Sequence, residues 1–170
     1  KDGHSFTFRN DGGMPWWFHP SDSSADVAIF PLSIPPDVMA KIDYKSISSH
    51  MLLNEKERQT LGIGEGTETY IVGLFSRHAG NAKNIPIIRT GSIAMLPDET
   101  VPTKDFGSME AYLIESRSIG GLSGSPVFAV EHVDPIHAKL HLIGLIHGHW
   151  DVNPDAIIDS TTADSGAKAG

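Results

Sequence analysis

The sequence predicts an all-β protein, and three features support this fold class. Its apolar residues lie in short segments rich in Val, Ile, Tyr and Phe, several of which alternate with polar residues at a period of two, as strands with one buried face do. Seventeen Gly and 11 Pro are spread along the chain and separate these segments, which is typical of β-barrels and sandwiches. No internal repeat is visible. With 170 residues, the chain can form one domain or two small lobes with a buried core.

Seven segments fit the strand pattern. Ser5–Arg9 alternates apolar and polar residues, whereas Val27–Leu32 is apolar on both faces. The other five follow later in the chain: Thr69–Phe75, Ile85–Met95, Ala111–Ser116, Pro126–Val130 and Leu140–His147. Between them, Ser76–Asn84 and Pro97–Ser108 are predicted to be long polar loops, which on a β scaffold are commonly functional or mobile.

A helix is predicted for Asn54–Leu61. Asn54 can cap its N-terminus, and Glu57, three residues later, can complete a capping box. Together with the proline-containing stretch Ser33–Asp37, this helix is expected to connect two lobes. The aromatic run Trp16–Phe18 is expected to form a packed edge of the first lobe and not a ligand-stacking surface.

Composition excludes several functional classes. No apolar run approaches the roughly 18 residues needed to span a bilayer, and a net charge of −8 without a basic cluster argues against nucleic-acid binding. The absence of cysteine excludes thiolate catalysis, cysteine zinc sites and disulfides. It is compatible with the cytoplasm, and also with exported bacterial enzymes. Because the chain opens at Lys1 without a methionine, we expect a fragment or a processed form.

The stretch Gly120–Phe128 carries the most specific chemistry. Serine is a weak nucleophile that needs an adjacent base and donors for the oxyanion that its attack creates. Glycines on both sides of Ser123 let the chain turn sharply, so that the N–H groups of Gly121 and Ser123 can converge on one point. Pro126 then leads the chain into a strand.

These residues resemble the chymotrypsin-like (trypsin-like) serine proteases, in particular disulfide-free bacterial members. Gly121–Pro126 follows the family pattern Gly-x-Ser-Gly-Gly/Ser-Pro around the nucleophile, and Asp26–Ile29 is similar to the Asp-Val/Ile-Ala-hydrophobic segment that carries the triad acid. Acid and nucleophile occur in the family's order. Gly73 and Pro86–Ile93 resemble the strands that open the second barrel, and Leu142–Ile146 resembles the substrate-binding strand after the nucleophile.

The resemblance implies two Greek-key β-barrels of the chymotrypsin type. Residues 1–45 would hold the end of the first barrel and the start of the linker, 46–66 the linker with its helix, and 67–170 the second barrel. Too few strands precede the linker to close a barrel, so the first barrel is expected to be incomplete. One more strand and a C-terminal helix are expected to be missing at the other end.

The implied function is a serine endopeptidase acting on a peptide or protein substrate without a cofactor. Ser123 would be the nucleophile, Asp26 the triad acid, and Gly121 and Ser123 the oxyanion donors. His4 and His19 precede Asp26, but neither lies in the family's Thr-Ala-x-His context. Both are therefore expected in surface or loop positions, and the triad histidine is expected upstream of residue 1.

A second departure from the family concerns activation. Leu122 stands where trypsin-like enzymes have an aspartate that pairs with a freed N-terminal amine, so activation by N-terminal insertion is not expected. A catalytically inactive module that binds extended peptides along the edge of Leu142–His147 stays open as an alternative.

By family position, Arg117 and Ser118 approach the floor of the specificity pocket, and His147 and Gly148 its wall. An inward Arg117 would favour an acidic side chain, while an outward one would face solvent or a structural carboxylate. Counted from Gly144, His147 is one residue out of phase with the pocket histidine of some relatives, so a preference for Glu or Gln is not predicted.

Nine histidines raise the possibility of a metal site. His137 and His141 are four residues apart, and His147 and His149 would share one face of an extended segment. This spacing does not match a known metal motif, so no metal is predicted, and a metal-dependent hydrolase is the third alternative. The oligomeric state stays open.

Overall fold

The computed structural model describes residues 15–23, 25–74, 80, 84–103, 107–117 and 121–148. The prediction of an all-β protein is confirmed, since most regular structure there is antiparallel sheet. The strands are β1 Trp17–Phe18, β2 Ala28–Ile29, β3 Glu68–Leu74, β4 Pro86–Met95, β5 Thr100–Thr103, β6 Gly107–Glu110, β7 Leu113–Ser116, β8 Pro126–His132 and β9 Ala138–Leu145. The helices are α1 Pro36–Met39, a 3₁₀ turn Ser49–Met51 and α2 Glu55–Thr60.

Five strands form the main sheet, in the order β7-β4-β3-β8-β9. Every neighbouring pair is antiparallel. In the central strand β3, Thr69, Ile71 and Gly73 are buried while the residues between them are less so, because successive side chains point to opposite faces. The order places β8, which follows the serine turn, between β3 and β9. Among the described strands, β7 and β9 are the two edges and the sheet does not close on itself.

The core contains two apolar clusters, and β8 is buried on both faces, since Val127 and Ala129 alternate with the buried Phe128 and Val130. The first contains Ile63, Ile93 and Ala129. The second contains Ile71, Leu122 and Val127. Ile114 and Ile143 pack against both clusters, so the core is continuous. Leu122 belongs to the serine turn, and its burial fixes the turn to the core.

The helix α2 begins as predicted. The Asn54 side chain accepts a hydrogen bond from the Glu57 amide at 2.9 Å, and the Glu57 carboxylate accepts one from the Asn54 amide at 3.1 Å. This capping box satisfies two N–H groups that the helix cannot pair internally. On the inner face, Arg58 is buried and donates to the Ile63 carbonyl at 2.7 Å. The helix is thereby attached to the segment that enters β3.

The described N-terminal part is less packed than the main sheet. β1 and β2 form a two-stranded antiparallel ribbon whose residues are exposed, so only two residues of the predicted strand Val27–Leu32 are paired. Trp16 stacks at a tilt against Phe30, with ring centroids 5.0 Å apart, yet remains 53% exposed. The aromatic run is therefore an edge, but an incompletely packed one. The predicted strand Ser5–Arg9 lies outside the described residues.

The structure differs from the sequence prediction in the second loop. Within Pro97–Ser108, β5 pairs with β6, which continues to Glu110. Val101 is buried and lies opposite Met109 in this ribbon, an arrangement that the polar composition did not reveal. Most of the first predicted loop lies outside the described residues. No helix in the described ranges is long and apolar enough to cross a membrane.

Candidate active site

The serine turn connects the loop after β7 to the start of β8. Gly121 and Gly124 have φ values of +86° and +79°, a left-handed conformation that glycine adopts without steric cost. The Ser125 amide donates to the Leu122 carbonyl at 2.9 Å, closing the turn on itself. Leu122 is buried while Ser123 between the glycines is exposed. The turn therefore exposes Ser123 to solvent, while the buried Leu122 side chain and the Ser125–Leu122 hydrogen bond hold its backbone in place.

The turn is also bound to the segment that follows β9. The Gly124 amide donates to the Ile146 carbonyl at 2.7 Å, and the Ile146 amide donates to the Ser125 carbonyl at 2.9 Å. The Ser123 hydroxyl donates to the main-chain carbonyl of His147 at 3.0 Å. Ser123 is therefore held against the first residues after the edge strand β9.

β3 runs directly beneath the turn, and Gly73 makes this approach possible. A Cβ atom at Gly73 would lie 2.7 Å from Leu122 Cδ2 and 2.7 Å from Ser125 Oγ, closer than side-chain atoms pack. The sequence drew attention to Gly73 through the family pattern. The structure gives the reason for a glycine at this position.

Asp26 occupies the tip of a tight turn before β2. The Val27 amide donates to the Ala25 carbonyl at 2.9 Å, an i to i+2 bond that makes Asp26 the centre of a γ-type turn. Its carboxylate oxygen Oδ2 lies 3.6 Å from Nε2 of His147, and the carboxyl side chain is 60% exposed. This separation is longer than a good hydrogen bond, so the two groups are close neighbours that are not hydrogen-bonded to each other.

His147 therefore contacts both residues that the sequence selected as acid and nucleophile. Its ring faces Asp26, and its carbonyl accepts from Ser123. The Nε2 atom is shielded from solvent, although the side chain as a whole is 30% exposed. Sequence reasoning placed His147 in a pocket wall and missed this contact. The available signal was its position directly after the strand that pairs with the serine turn.

The two predicted oxyanion donors remain accessible. Gly121 and Ser123 are both exposed, and neither main-chain N–H donates a hydrogen bond within the described part of the chain. The neighbouring amides of residues 124 and 125, by contrast, are both engaged. The turn can therefore offer donors to an external oxygen.

Of the predicted pocket residues, His147 contacts Ser123, whereas Arg117 does not line a cleft with it. Arg117 is exposed at the end of β7 and lines a cleft of about 330 Å³ with Ile88, Arg89 and Thr90. Neither Ser123 nor His147 lines this cleft. Gly148 is exposed, and Ser118 lies outside the described residues. Arg117 directly follows β7, which pairs with β4, and its side chain is exposed. Of the two orientations considered from the sequence, it therefore has the outward one.

His137 and His141, which the sequence raised as possible metal ligands, each pair with a single carboxylate. His137 Nδ1 lies 2.7 Å from Asp134 Oδ2, and His141 Nε2 lies 2.7 Å from Glu131 Oε2. The Ile136 amide and the His137 ring hold the pKa of the Asp134 carboxyl below its ordinary value. Within the described ranges, no three metal-ligating side chains come together. His149 lies outside those ranges.

The two histidines before Asp26 give no base in the described structure. His19 is exposed, and its Nδ1 accepts a hydrogen bond from the Asp22 amide at 2.8 Å, which is the loop role predicted for it. His4 lies outside the described residues.

The chain matches no protein-family model, no curated protein and no solved structure, so the chemistry of this site has to be inferred from its own residues.

Proposed function

We propose that this protein is a serine endopeptidase that cleaves peptide bonds through an acyl-enzyme on Ser123. Asp26 is the triad acid, and the main-chain N–H groups of Gly121 and Ser123 bind the oxyanion. The base is a histidine upstream of residue 1. The substrate is a peptide or protein, and the reaction needs no cofactor.

One observation carries this proposal. Asp26 and Ser123 lie far apart in the sequence, yet both contact His147. The Asp26 carboxylate lies 3.6 Å from the His147 ring nitrogen Nε2, and the Ser123 hydroxyl lies 3.0 Å from the His147 main-chain carbonyl oxygen. The carboxylate approaches the ring of that residue and the hydroxyl donates to its main-chain carbonyl, so both groups meet at one place in the fold, which supports a shared site of the triad type. The exposed glycine-flanked turn supplies the nucleophile and its donors together, which is what acyl transfer requires.

The proposed reaction has two steps. The histidine takes the Ser123 proton as the oxygen attacks the scissile carbonyl, and Asp26 stabilises the imidazolium that forms. The tetrahedral oxyanion accepts hydrogen bonds from Gly121 and Ser123, each worth about 3 kcal/mol. Collapse breaks the C–N bond, and the imidazolium gives its proton to the leaving amine. Water, deprotonated by the same histidine, then hydrolyses the ester and restores the serine.

The proposal extends to the architecture. We assign the five-stranded sheet to the second of two chymotrypsin-type Greek-key barrels, and the β1–β2 ribbon to the end of the first. The antiparallel order with adjacent β8 and β9 supports this assignment, as does the exposure of β1 and β2. Such a ribbon needs further strands to bury its faces.

A fluorophosphonate probe on the full-length protein tests the function. It phosphonylates an activated serine, so we expect one labelled site at Ser123, abolished by Ser123→Ala and strongly reduced by Asp26→Asn. Ser108→Ala and Asp43→Asn, which change exposed residues elsewhere, should label as the wild type does. A folded full-length sample that takes up no label would overturn the proposal.

The second candidate is a protease-like module that binds peptides without cutting them. In its favour, the Ser123 hydroxyl donates to a carbonyl and not to a ring nitrogen. The peptide would add to the edge of β9 beyond Leu142, because at Leu142 the Leu53 amide already occupies the carbonyl at 3.3 Å. Saturable binding of an extended peptide, with no labelling and no cleavage, would favour this module over the enzyme.

A further inference from the structure

We infer that the uncovered edge of β4 binds an extended peptide that carries an acidic side chain. The site is the cleft of about 330 Å³ that Ile88, Arg89, Thr90 and Arg117 line. None of the residues proposed for acyl transfer lines this cleft, so the inference does not rest on the proposed function.

β4 is longer than the strand beside it, which leaves part of its edge uncovered. Its ladder with β3 runs from Pro86 to Ser92, whereas β7 pairs with it only between Gly91 and Met95. Over Pro86–Thr90, no described strand covers the side of β4 that faces away from β3. An edge of this kind offers main-chain donors and acceptors to another extended chain.

Alternation along β4 shows which residues supply these donors and acceptors. The Ile93 amide donates to the Thr67 carbonyl at 3.0 Å, and the Ile93 carbonyl accepts from the Gly66 amide at 2.8 Å. The main-chain groups of Ile93 therefore point to the side of β3. Because their direction alternates along an antiparallel ladder and the β3–β4 register has no shift, those of Ile88 and Thr90 point to the uncovered edge.

Two guanidinium groups lie at this edge without a carboxylate partner. Within the described residues, neither Arg89 nor Arg117 takes part in an ion pair, although the chain has a net charge of −8. The Nε atom of Arg89 is also shielded from solvent and has no hydrogen-bond partner there. A shielded donor without an acceptor destabilises the protein. The carboxylate of a bound peptide would supply that acceptor.

The surrounding charges narrow the class of ligand. Glu68 and Glu115 line the adjoining cleft of about 630 Å³ together with Arg117, and Glu68 faces His132 at 3.8 Å. These carboxylates would repel further negative charge on that side, so a polyanion is disfavoured. A free anion would engage the guanidinium groups and leave the main-chain edge unused. A peptide with one acidic side chain satisfies both.

The first test measures peptide binding by fluorescence anisotropy. The probe is a labelled, end-capped peptide of alternating threonine and valine with one central glutamate, and its comparison peptide has glutamine there. We expect the glutamine peptide, and separately Arg89→Gln, to bind about tenfold more weakly, the range of a charge-assisted hydrogen bond. Arg117→Gln should weaken binding about threefold, because Arg117 is exposed.

Lys139→Gln is the matched control, since it removes an exposed positive charge from the opposite edge strand β9. It should bind the glutamate peptide as the wild type does. Equal binding of the glutamate and glutamine peptides, or no binding of either, would overturn the inference.

The second test locates the peptide on the sheet. Ile88→Pro removes an N–H that points away from β3, and proline is tolerated at such an edge position; it should abolish binding, whereas Ile88→Thr should retain it. In NMR spectra of the wild type, which depend on no variant, the glutamate peptide should shift the amides of Ile88 and Thr90. Shifts confined to β9, or the same shifts with inorganic phosphate alone, would overturn the inference.

Ser123→Ala separates this site from the proposed active site. Since Ser123 does not line the cleft, Ser123→Ala should keep peptide binding and lose the fluorophosphonate label; loss of binding would place the peptide at the serine turn and overturn the inference. Normal labelling with no effect of Arg89→Gln on binding refutes the peptide site and leaves the endopeptidase standing. An unlabelled protein that binds through Arg89 refutes the endopeptidase and leaves the peptide site standing.

Discussion

Gly73→Ala tests whether the serine turn is held by its close approach to β3. The added methyl carbon would lie 2.7 Å from Leu122 Cδ2 and 2.7 Å from Ser125 Oγ. Carbon atoms pack at about 3.5–4.0 Å, so the turn has to move away by nearly 1 Å. Both contacted atoms end side chains, but Leu122 and Ser125 are only 5% and 8% exposed. They have little room in which to move.

We expect two measurable consequences. Overpacking of this kind costs about 1–3 kcal/mol of unfolding free energy, from which the lower chain entropy of alanine recovers up to about 1 kcal/mol. A net loss of up to about 2 kcal/mol should appear as a lower midpoint of urea unfolding. Because Ser123 moves with the turn, its phosphonylation should slow by up to about 100-fold, the penalty for a misplacement of about 1 Å.

The sheet offers matched controls. Gly144 in β9 has nothing within 4 Å of an added Cβ, so Gly144→Ala should unfold at or above the wild-type midpoint and label normally. At Gly91 the Cβ would meet the Glu115 main-chain oxygen at 2.3 Å, and Gly91→Ala should be the most destabilised of the three. If Gly73→Ala matched Gly144→Ala in both assays, the steric account of the turn would be refuted.

Three further predictions concern stability and can be read from urea midpoints. Asn54→Ala should cost about 1 kcal/mol, because it removes the cap of α2, whereas Asn54→Ser should retain most of it. Arg58→Ala should cost about 1–3 kcal/mol, since it leaves the Ile63 carbonyl without its 2.7 Å donor and opens space beside it. The pKa of Asp134 is lower in the folded protein than its ordinary value of 3.8. The charged carboxylate therefore stabilises the fold at pH values above 3.8, and this stabilisation is lost as the pH falls through the lower pKa of the folded state. Asp134→Asn should therefore be less stable than the wild type at about pH 6, and this difference should shrink towards about pH 2.

Each of these three stability predictions would be contradicted by a specific result. An Asn54→Ala midpoint equal to that of the wild type would mean that the capping box is not formed in solution. Arg58→Met keeps the packing of the aliphatic stem, so if it were as stable as the wild type, the hydrogen bond to Ile63 would contribute nothing. If the stability difference between Asp134→Asn and the wild type did not change with pH, the Asp134 carboxyl would not be a group that couples stability to pH.

The strands and the helix cap could be predicted because local rules govern them. The predicted segments Thr69–Phe75 and Ile85–Met95 each begin within one residue of the observed strand, and the second ends at the same residue, because side-chain alternation and bounding turn residues lie within the segments themselves. The capping box joins residues three positions apart. The β5–β6 ribbon was missed because its two four-residue strands contain a single buried residue, Val101, and so lack a strand-like alternation.

The sequence by itself determined the antiparallel β architecture, the glycine-flanked serine turn and the identity of the two residues to examine, Ser123 and Asp26. Only the tertiary structure showed which residue contacts both of them. The contact of His147 with Asp26 depends on how the segment after β9 meets the turn before β2, and the outward position of Arg117 depends on the path of β7 beside β4. Such contacts arise from strand order and packing between distant segments, which leave no periodic or short-range pattern in the chain.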